Sequence, residues 1–437
     1  MKDDLLYDLN SRPPVIEIFF VSLQHLLGIF VPIITPGLII CGALGLDLST
    51  TAYIVNMSLF ASGISTFIQV YKIGPLGSGL LSIQGTSFAF VAPIITAGKI
   101  GGLSMIIGVS IIGSFIEMIL SRFLAGAKKI ITPLVSGIVV VMIGLTLIKT
   151  GMFNCAGGAA ALKNNTFGSL TNLALSGGVF ITIFILNASG NKYIRMSSIF
   201  LGLAAGYIVS IILGMVDISG FSKLDLFCVP VPFKYGFDFS LSAFFPVALI
   251  YLITTIETIG DLTATSIVSK EPITGDVYMK RLSGGVLADG FNSLLAAVFN
   301  SFPNTTFSQN NGIIQMTGVA SRMAGYYIAA FLTLMGLFPV IGIVFSVMPA
   351  AVLGGGTLLM FATIAANGIK IISTENINRR AISIMAISFG LGLGVTFTPE
   401  ILKALPEYLR DMFGSGITTG GLSAFIANIL IPDETGE

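Results

Sequence analysis

The sequence predicts an all-α polytopic membrane protein, with about fourteen transmembrane segments forming a 7+7 inverted repeat. Three observations carry that prediction. Hydrophobic residues make up 54% of the 437 residues and charged residues only 10%, against about 25% charged in soluble domains, and the mean hydropathy is +0.94. Apolar runs of spanning length recur to the end of the chain. Two of those runs, the third and the tenth, are interrupted by Gly, Pro and small polar residues, and they hold equivalent places in two halves of seven.

The segments follow in order. Residues 1–12 are polar and mixed in charge, without the basic start and cleavage site of a signal peptide, so the first apolar run is expected to stay as a span. Apolar runs then cover residues 14–40, 51–71, 75–96, 103–123 and 131–148. A polar stretch with Asn154, Lys163, Asn164 and Asn165 separates them from residues 170–186, 196–215, 241–266 and 282–299. The last five runs are 305–319, 323–347, 352–372, 381–397 and 417–431.

Charge orients the stack. With the N-terminus inside and an even number of spans, Lys and Arg divide about two to one in favour of the inner side, as the positive-inside rule requires. Lys72, Arg122, Lys280, Arg322 and Arg380 fall inside, while Lys99, Lys149, Lys234 and Lys403 fall outside. Both termini are therefore expected to be cytoplasmic. A miscount of one span in the middle would spoil this division. Each half has an odd number of spans, so the second half enters from the opposite side and the repeat is inverted.

The tenth run is wrong for a plain span. Pro303, Asn304, Thr305 and Thr306 precede Phe307 and Ser308, and Gln309, Asn310 and Asn311 then stand together before Gly312. Adjacent amides are costly in hydrocarbon unless partners satisfy them, and irregular backbone at that depth must be enclosed by protein or line a cavity. The third run starts Gly74-Pro75-Leu76-Gly77-Ser78-Gly79 and continues Gln84-Gly85-Thr86-Ser87-Phe88. Paired broken segments in corresponding positions point to a transport site. The competing readings are a polar loop for the tenth run and close packing through glycine for the third.

Few ionisable groups are expected deep in the membrane. Glu257 lies late in the eighth run, Asp289 within the ninth, and His25 beside Gln24 in the first. An ionisable group at that depth costs about 2.5–3.5 kcal/mol on insertion scales, so each is a functional candidate. The eighth run is the repeat mate of the first, which sets His25 and Glu257 at comparable positions. Asp289 reads equally well as a hydrogen-bond acceptor in helix packing, and His25 as an interior histidine joining helices. Asp261 is expected as an interfacial charge at the cytoplasmic end, and Glu117 as a structural residue close to Arg122.

Other classes are disfavoured. The lone histidine rules out a multi-histidine metal cage, and Cys41, Cys155 and Cys228 are too widely spaced for a zinc site or a disulfide framework. No metal or cofactor is expected. The net charge of +1 gives no reason to expect nucleic acid. An enzyme would need a nucleophile–base set or a metal motif, and neither is apparent in the sequence.

These residues resemble the nucleobase–ascorbate transporters, the second nucleobase–cation symporter family. The family signature, Gln/Glu/Pro-Asn-x-Gly, four residues, then Thr and Arg/Lys/Gly, is matched by Gln309-Asn310-Asn311-Gly312 and Thr317-Gly318. The first-span Gln-His pair is matched by Gln24-His25, the third-span motif by Gly85-Thr86-Ser87-Phe88, and the eighth-span motif by Glu257-Thr258-Ile259-Gly260-Asp261. The likeness runs to Gly420-Gly421, and Arg12-Pro13-Pro14 with residues 80–88 resembles bacterial xanthine permeases in particular.

The resemblance implies a core domain from residues 14–123 and 241–347, and a gate domain from 131–215 and 352–431. It implies short antiparallel strands in the third and tenth spans that meet at the substrate. Glu257 and Gln309 would bind the substrate. Phe88 and Ser308 would contribute main-chain contacts, Phe307 would stack on the base, and Ser87 and Asn310 would complete the site. Glu257, Asp289 and His25 would organise it and couple it to protons. An oxidised purine carries alternating donors and acceptors along its edge, which suits a carboxylate and an amide. Relatives that carry uracil have Glu at the first signature position, so Gln309 favours a purine. The expected activity is proton-coupled import of xanthine across the bacterial inner membrane by a homodimer. Uric acid is the near alternative, and an anion carrier or channel of the same fold is the distant one.

Overall fold

The computed structural model describes residues 5–124, 132–191, 194–195, 197–216, 227–406, 409–410 and 413–432. The chain starts with two long helices, α1 (Val15–Leu44) and α2 (Leu48–Tyr71). It then becomes extended at β1 (Gln84–Thr86), makes one 3-10 turn at Phe88–Phe90, and re-enters helix as α3 (Val91–Leu120). Gly101 and Gly102 are non-helical inside α3, with Gly102 at φ 67°. This kink separates the helical end of the third predicted span from the fourth.

Next come α4 (Pro133–Cys155), α5 (Gly158–Lys163), α6 (Leu170–Asn187) and α7 (Ser198–Ile212). The α4 start follows from its sequence: the Thr132 side chain accepts from the Val135 N–H, and Pro133 takes the first turn, where its missing donor costs nothing. Helix α4 runs past the predicted boundary and takes in Asn154. The expected starts of the fifth and seventh spans, Ile131 and Met196, lie outside the described residues, as do five further lysines in the inside–outside count: Lys2, Lys128, Lys129 and Lys192, expected inside, and Lys223, expected outside.

The second half contains α8 (Leu241–Val268), α9 (Gly275–Val298), β2 (Asn304–Thr306), α10 (Gln309–Thr317) and α11 (Arg322–Leu337). It ends with α12 (Pro339–Ser346), α13 (Ala350–Ile372), α14 (Arg379–Phe397), a 3-10 turn at Pro399–Leu402, and α15 (Gly416–Leu430). The predicted eleventh span is not one helix, because α11 and α12 meet at a 77° bend. Phe338 precedes Pro339 and sits in the β region at φ −101°, ψ 110°, where the proline ring forces the residue before it.

Among the described residues, eight helices are long and apolar enough to cross a membrane, and up to nine if the bent pair is one span. The expected count of fourteen therefore depends on the shorter and interrupted elements. Two packed groups surround the strands. Helix α2 lies along α11, and α3 along α8 and α9, with α1 against α2, α11 and β1. In the other group α4 lies along α13, α14 along α15, and α6 against α7 and α13. Small residues permit the close approach of α4 and α13: a Cβ on Gly144 would stand 2.4 Å from the backbone N of Ala365.

Candidate binding site at the paired strands

β1 and β2 pair antiparallel, with Gln84 opposite Thr306, Gly85 opposite Thr305 and Thr86 opposite Asn304. The ladder continues at both ends. Ser87 N–H donates to Pro303 O and Phe307 N–H to Ile83 O, each at 2.9 Å. All six strand residues are buried. Each strand therefore satisfies the backbone of the other at a depth where water is absent. Gly85 is required here: a Cβ would stand 2.2 Å from Cε2 of Phe307, whose ring covers the strand.

Helix α8 lies against β2, against α10 and against the Phe88–Phe90 turn, so it runs beside both broken segments. It carries Thr254, Glu257, Thr258 and Asp261, spaced 3, 1 and 3 apart, which puts all four on one face. Thr258 Oγ1 donates to Asp289 Oδ2 at 2.5 Å. Thr306 Oγ1 donates to Asp261 Oδ2 at 2.9 Å. Thr254 Oγ1 lies 2.5 Å from Glu117 Oε1. Glu257 is half-buried, and its Oε2 is buried without a partner among the described residues. It is the carboxyl on this face that no neighbouring hydroxyl occupies.

The candidate residues divide by accessibility. Ser308 and Gln309 are exposed although Phe307 before them and Asn310 after them are buried. Phe307, Phe88 and Ser87 are buried. Ser87 Oγ accepts from the Ala89 N–H and caps the 3-10 turn. The Phe88 ring stands edge-on to Phe361 of α13, with centroids 5.6 Å apart. That contact joins the first broken segment to the other packed group.

Asn310 and His25 form a brace. Asn310 Nδ2 donates to Leu81 O, which leaves its Oδ1 to accept from His25 Nδ1 at 2.7 Å. This fixes the imidazole with a hydrogen on Nδ1, while Nε2 is buried without a partner among the described residues. The brace ties α1 to α10 and to the chain just before β1. Asn310 is therefore buried beside the exposed Gln309, with both its oxygen and its nitrogen bonded. Asp289 is also wholly buried, and a second hydroxyl, Thr305 Oγ1, approaches its Oδ2 at 3.5 Å.

One expectation changes: Asp261 is not a free interfacial charge, because its Oδ2 accepts from Thr306 Oγ1 of β2. Glu117 keeps its structural reading but faces α8 rather than Arg122: it is fully buried beside Thr254, and Arg122 is exposed. The threonines of the eighth run, which repeat on the Glu257 face at helical spacing, are the faint signal that this face meets buried acids.

The Permease family profile matches residues 16–401. The xanthine permease XanP of Escherichia coli (strain K12) is 49% identical over 441 residues, 99% of this chain and 95% of that protein. The chain belongs to the nucleobase–ascorbate transporter family. Xanthine permease XanQ of the same organism is 48% identical over 98% of this chain and 94% of its own length. Uric acid permease PucJ of Bacillus subtilis (strain 168) is 33% identical over 94% and 92%.

Solved structures agree on the fold. The murine Slc26a9 anion transporter superposes with a TM-score of 0.63 at 12% identity, over 97% of this chain and 69% of that one. The transmembrane domain of the cyanobacterial bicarbonate transporter BicA gives 0.55 at 15% identity, over 94% and 96%. This family member is thus a multi-pass membrane protein with the inverted-repeat fold.

Proposed function

We propose that this permease imports an oxidised purine, xanthine first, together with a proton across the bacterial cytoplasmic membrane. The observation that carries the reading is the unpartnered Oε2 of Glu257, on a helix packed against both broken segments and against α10, where the Gln309 side chain is accessible. A carboxylate accepts purine N–H groups, and an amide both gives and takes hydrogen bonds along the same edge. The names of the E. coli relatives, at 49% and 48% identity, support xanthine ahead of uric acid.

In this reading Glu257 and Gln309 hold the base edge, Phe307 stacks on its face, and Ser308 and Phe88 offer main-chain groups. Ser87 and Asn310 act from behind, through the turn and the His25 brace. Asp289 organises the Glu257 face. Residues 14–123 and 241–347 form a core that carries the purine past a gate of 131–215 and 352–431; the two packed groups of helices support that division. The carrier works as a homodimer with both termini cytoplasmic. It is a transporter rather than an enzyme, in keeping with the permeases it matches.

The test is uptake of labelled xanthine, urate, guanine, hypoxanthine and uracil by cells lacking their own purine carriers. Xanthine uptake is expected to exceed the others and to fall when a protonophore collapses the proton gradient. Accumulation that survives the protonophore but stops without Na⁺ would reject proton coupling. Transport of sulfate or bicarbonate with no purine uptake would assign the site to an anion, as in the solved structures of the same fold.

A further inference from the structure

Glu117 is a buried carboxyl that the proposed transport site does not use. It is wholly buried where α3 meets α8 and α9. Its surroundings are acidic or neutral. Glu257 and Tyr251 of α8 and Asp289 of α9 are close enough to interact electrostatically with it. Gly290, next to Asp289, packs so closely that a Cβ there would stand 3.0 Å from Glu117 Cβ. Among the described residues Thr254 is its one hydrogen-bond partner, and Oε2 has none.

The hydrogens around Thr254 decide what this carboxyl does. Thr254 Oγ1 lies 2.5 Å from Glu117 Oε1, 3.1 Å from Ile250 O and 3.4 Å from Tyr251 O. The hydroxyl has one hydrogen and faces three oxygens. If Glu117 were ionised, that hydrogen would be its only donor, with no cation at hand, and a buried carboxylate so poorly served is strongly disfavoured. If Glu117 carries the proton, its O–H donates to Thr254, and Thr254 donates onward to Ile250 O. Every hydrogen is then used. Asp289 differs, since two hydroxyls, of Thr258 and Thr305, approach one of its oxygens as donors.

We propose that Glu117 is a positioning residue that stays protonated throughout the transport cycle, its O–H tethering Thr254 and so fixing the turn of α8 that presents Glu257. Thr254, Tyr251 and Glu257 of α8 and Asp289 and Gly290 of α9 surround Glu117, and with α3 these helices belong to one packed group, so a movement between the two groups leaves these neighbours in place. It has no occasion to release its proton.

The role in uptake rests on the transport reading above, whereas the protonation does not, and the experiment separates them. Infrared spectra of the purified full-length protein in lipid are compared for wild type and Glu117→Gln. Wild type is expected to show the carbonyl stretch of a protonated carboxyl that Glu117→Gln lacks, with constant intensity from mildly acid to mildly alkaline pH. Thr254→Val, which removes the acceptor, should move that band to higher frequency. In cells, Glu117→Gln should keep xanthine uptake within about threefold of wild type with the same pH profile, because the amide replaces an O–H donor with an N–H donor of the same size. Glu117→Ala should raise KM about tenfold, the scale of one lost buried hydrogen bond. The proposal is overturned if no such band is lost in Glu117→Gln, if the band titrates, or if Thr254→Val leaves it unmoved. It is equally overturned if Glu117→Gln reaches the membrane normally and yet loses uptake or shifts its pH profile.

Discussion

The two broken segments share a backbone plan and differ in what they offer. Each is a three-residue strand that pairs with the other and then returns to helix. After β1 the side chains turn inward: Ser87 caps its own turn, and Phe88 is buried against Phe361. After β2, Ser308 and Gln309 remain accessible. The helices that carry His25 and Glu257 diverge in a related way. His25 on α1 is fully buried and bonded to Asn310 through Nδ1, while Glu257 on α8 is half-buried and makes no hydrogen bond among the described residues. The repeat thus builds a two-fold frame, and the accessible polar groups are concentrated on the second half. A planar base has one recognition edge, so one side of the frame can present polar groups while the other stays a buried support.

The largest effect should come from removing the accessible acid. Glu257→Gln is expected to cost about 1.5–3 kcal/mol of xanthine binding, the range for hydrogen bonds to a charged group, or roughly ten- to hundredfold in affinity. It should also end protonophore-sensitive accumulation. Binding competition and uptake measured on the same membranes check both parts; wild-type affinity together with wild-type coupling would shift the working acid to another position on α8.

Gln309→Glu tests the same half from the strand side. Glutamate is isosteric but, when ionised, only accepts. The loss should be about 1–3 kcal/mol for xanthine, with a drift towards ligands that offer an extra N–H. Gln309→Asn keeps the groups and shortens the reach, so it should bind weakly with its ligand ranking intact. Gln315, also exposed on α10 but six residues on, faces another direction, and Gln315→Glu should be milder. If Gln309→Glu matches wild type in affinity and ranking while Gln315→Glu does not, the purine sits on the wrong face of α10.

The supporting half can be broken through its brace. His25→Ala and Asn310→Ala each leave the other partner buried and unpaired, for about 1–3 kcal/mol. Because the two residues form one contact, the double variant should be less damaged than the sum of the singles, by about 0.5–3 kcal/mol in xanthine binding or thermal stability. Additive losses would mean that they act separately and that His25 reaches the ligand on its own.

These contrasts were unevenly legible in the sequence. The strand-broken segments announced themselves, because Gly74-Pro75 and Pro303 with the amides of 309–311 cannot continue a lipid-facing helix. The bend before Pro339 had a local signal too, in a proline inside an apolar run. The partner of Asp261 did not, since Thr306 of β2 is near it only in space. Nor did the partner of Glu117, because Arg122 is near in sequence and Thr254 is near only in space. Local composition marks where a helix must break. Which buried acid meets which hydroxyl is set by helix rotation and packing, and a single sequence carries that only as a faint periodicity of threonines.

The smallest effect should come from Asp289→Asn, and it separates charge from shape. The residue is fully buried, and its Oδ2 receives Thr258 of α8 and Thr305 of β2. Through them it ties the ninth predicted span to the eighth and to the strand pair. Asparagine has nearly the same volume and retains one carbonyl oxygen that can take both hydroxyls. What it adds is an NH₂ group on the other side, where Asp289 Oδ1 has no partner among the described residues. If Asp289 serves by holding these hydroxyls, Asp289→Asn should keep substantial xanthine uptake and the wild-type ranking of ligands. Asp289→Ala, which orphans both hydroxyls, should be markedly worse, by about 1–3 kcal/mol for each group left unpaired. Uptake measured against membrane abundance for the two variants decides. Complete loss in Asp289→Asn at normal abundance would mean that the negative charge itself is used, and that the proton-coupling acid is shared between Glu257 and Asp289 rather than carried by Glu257 alone.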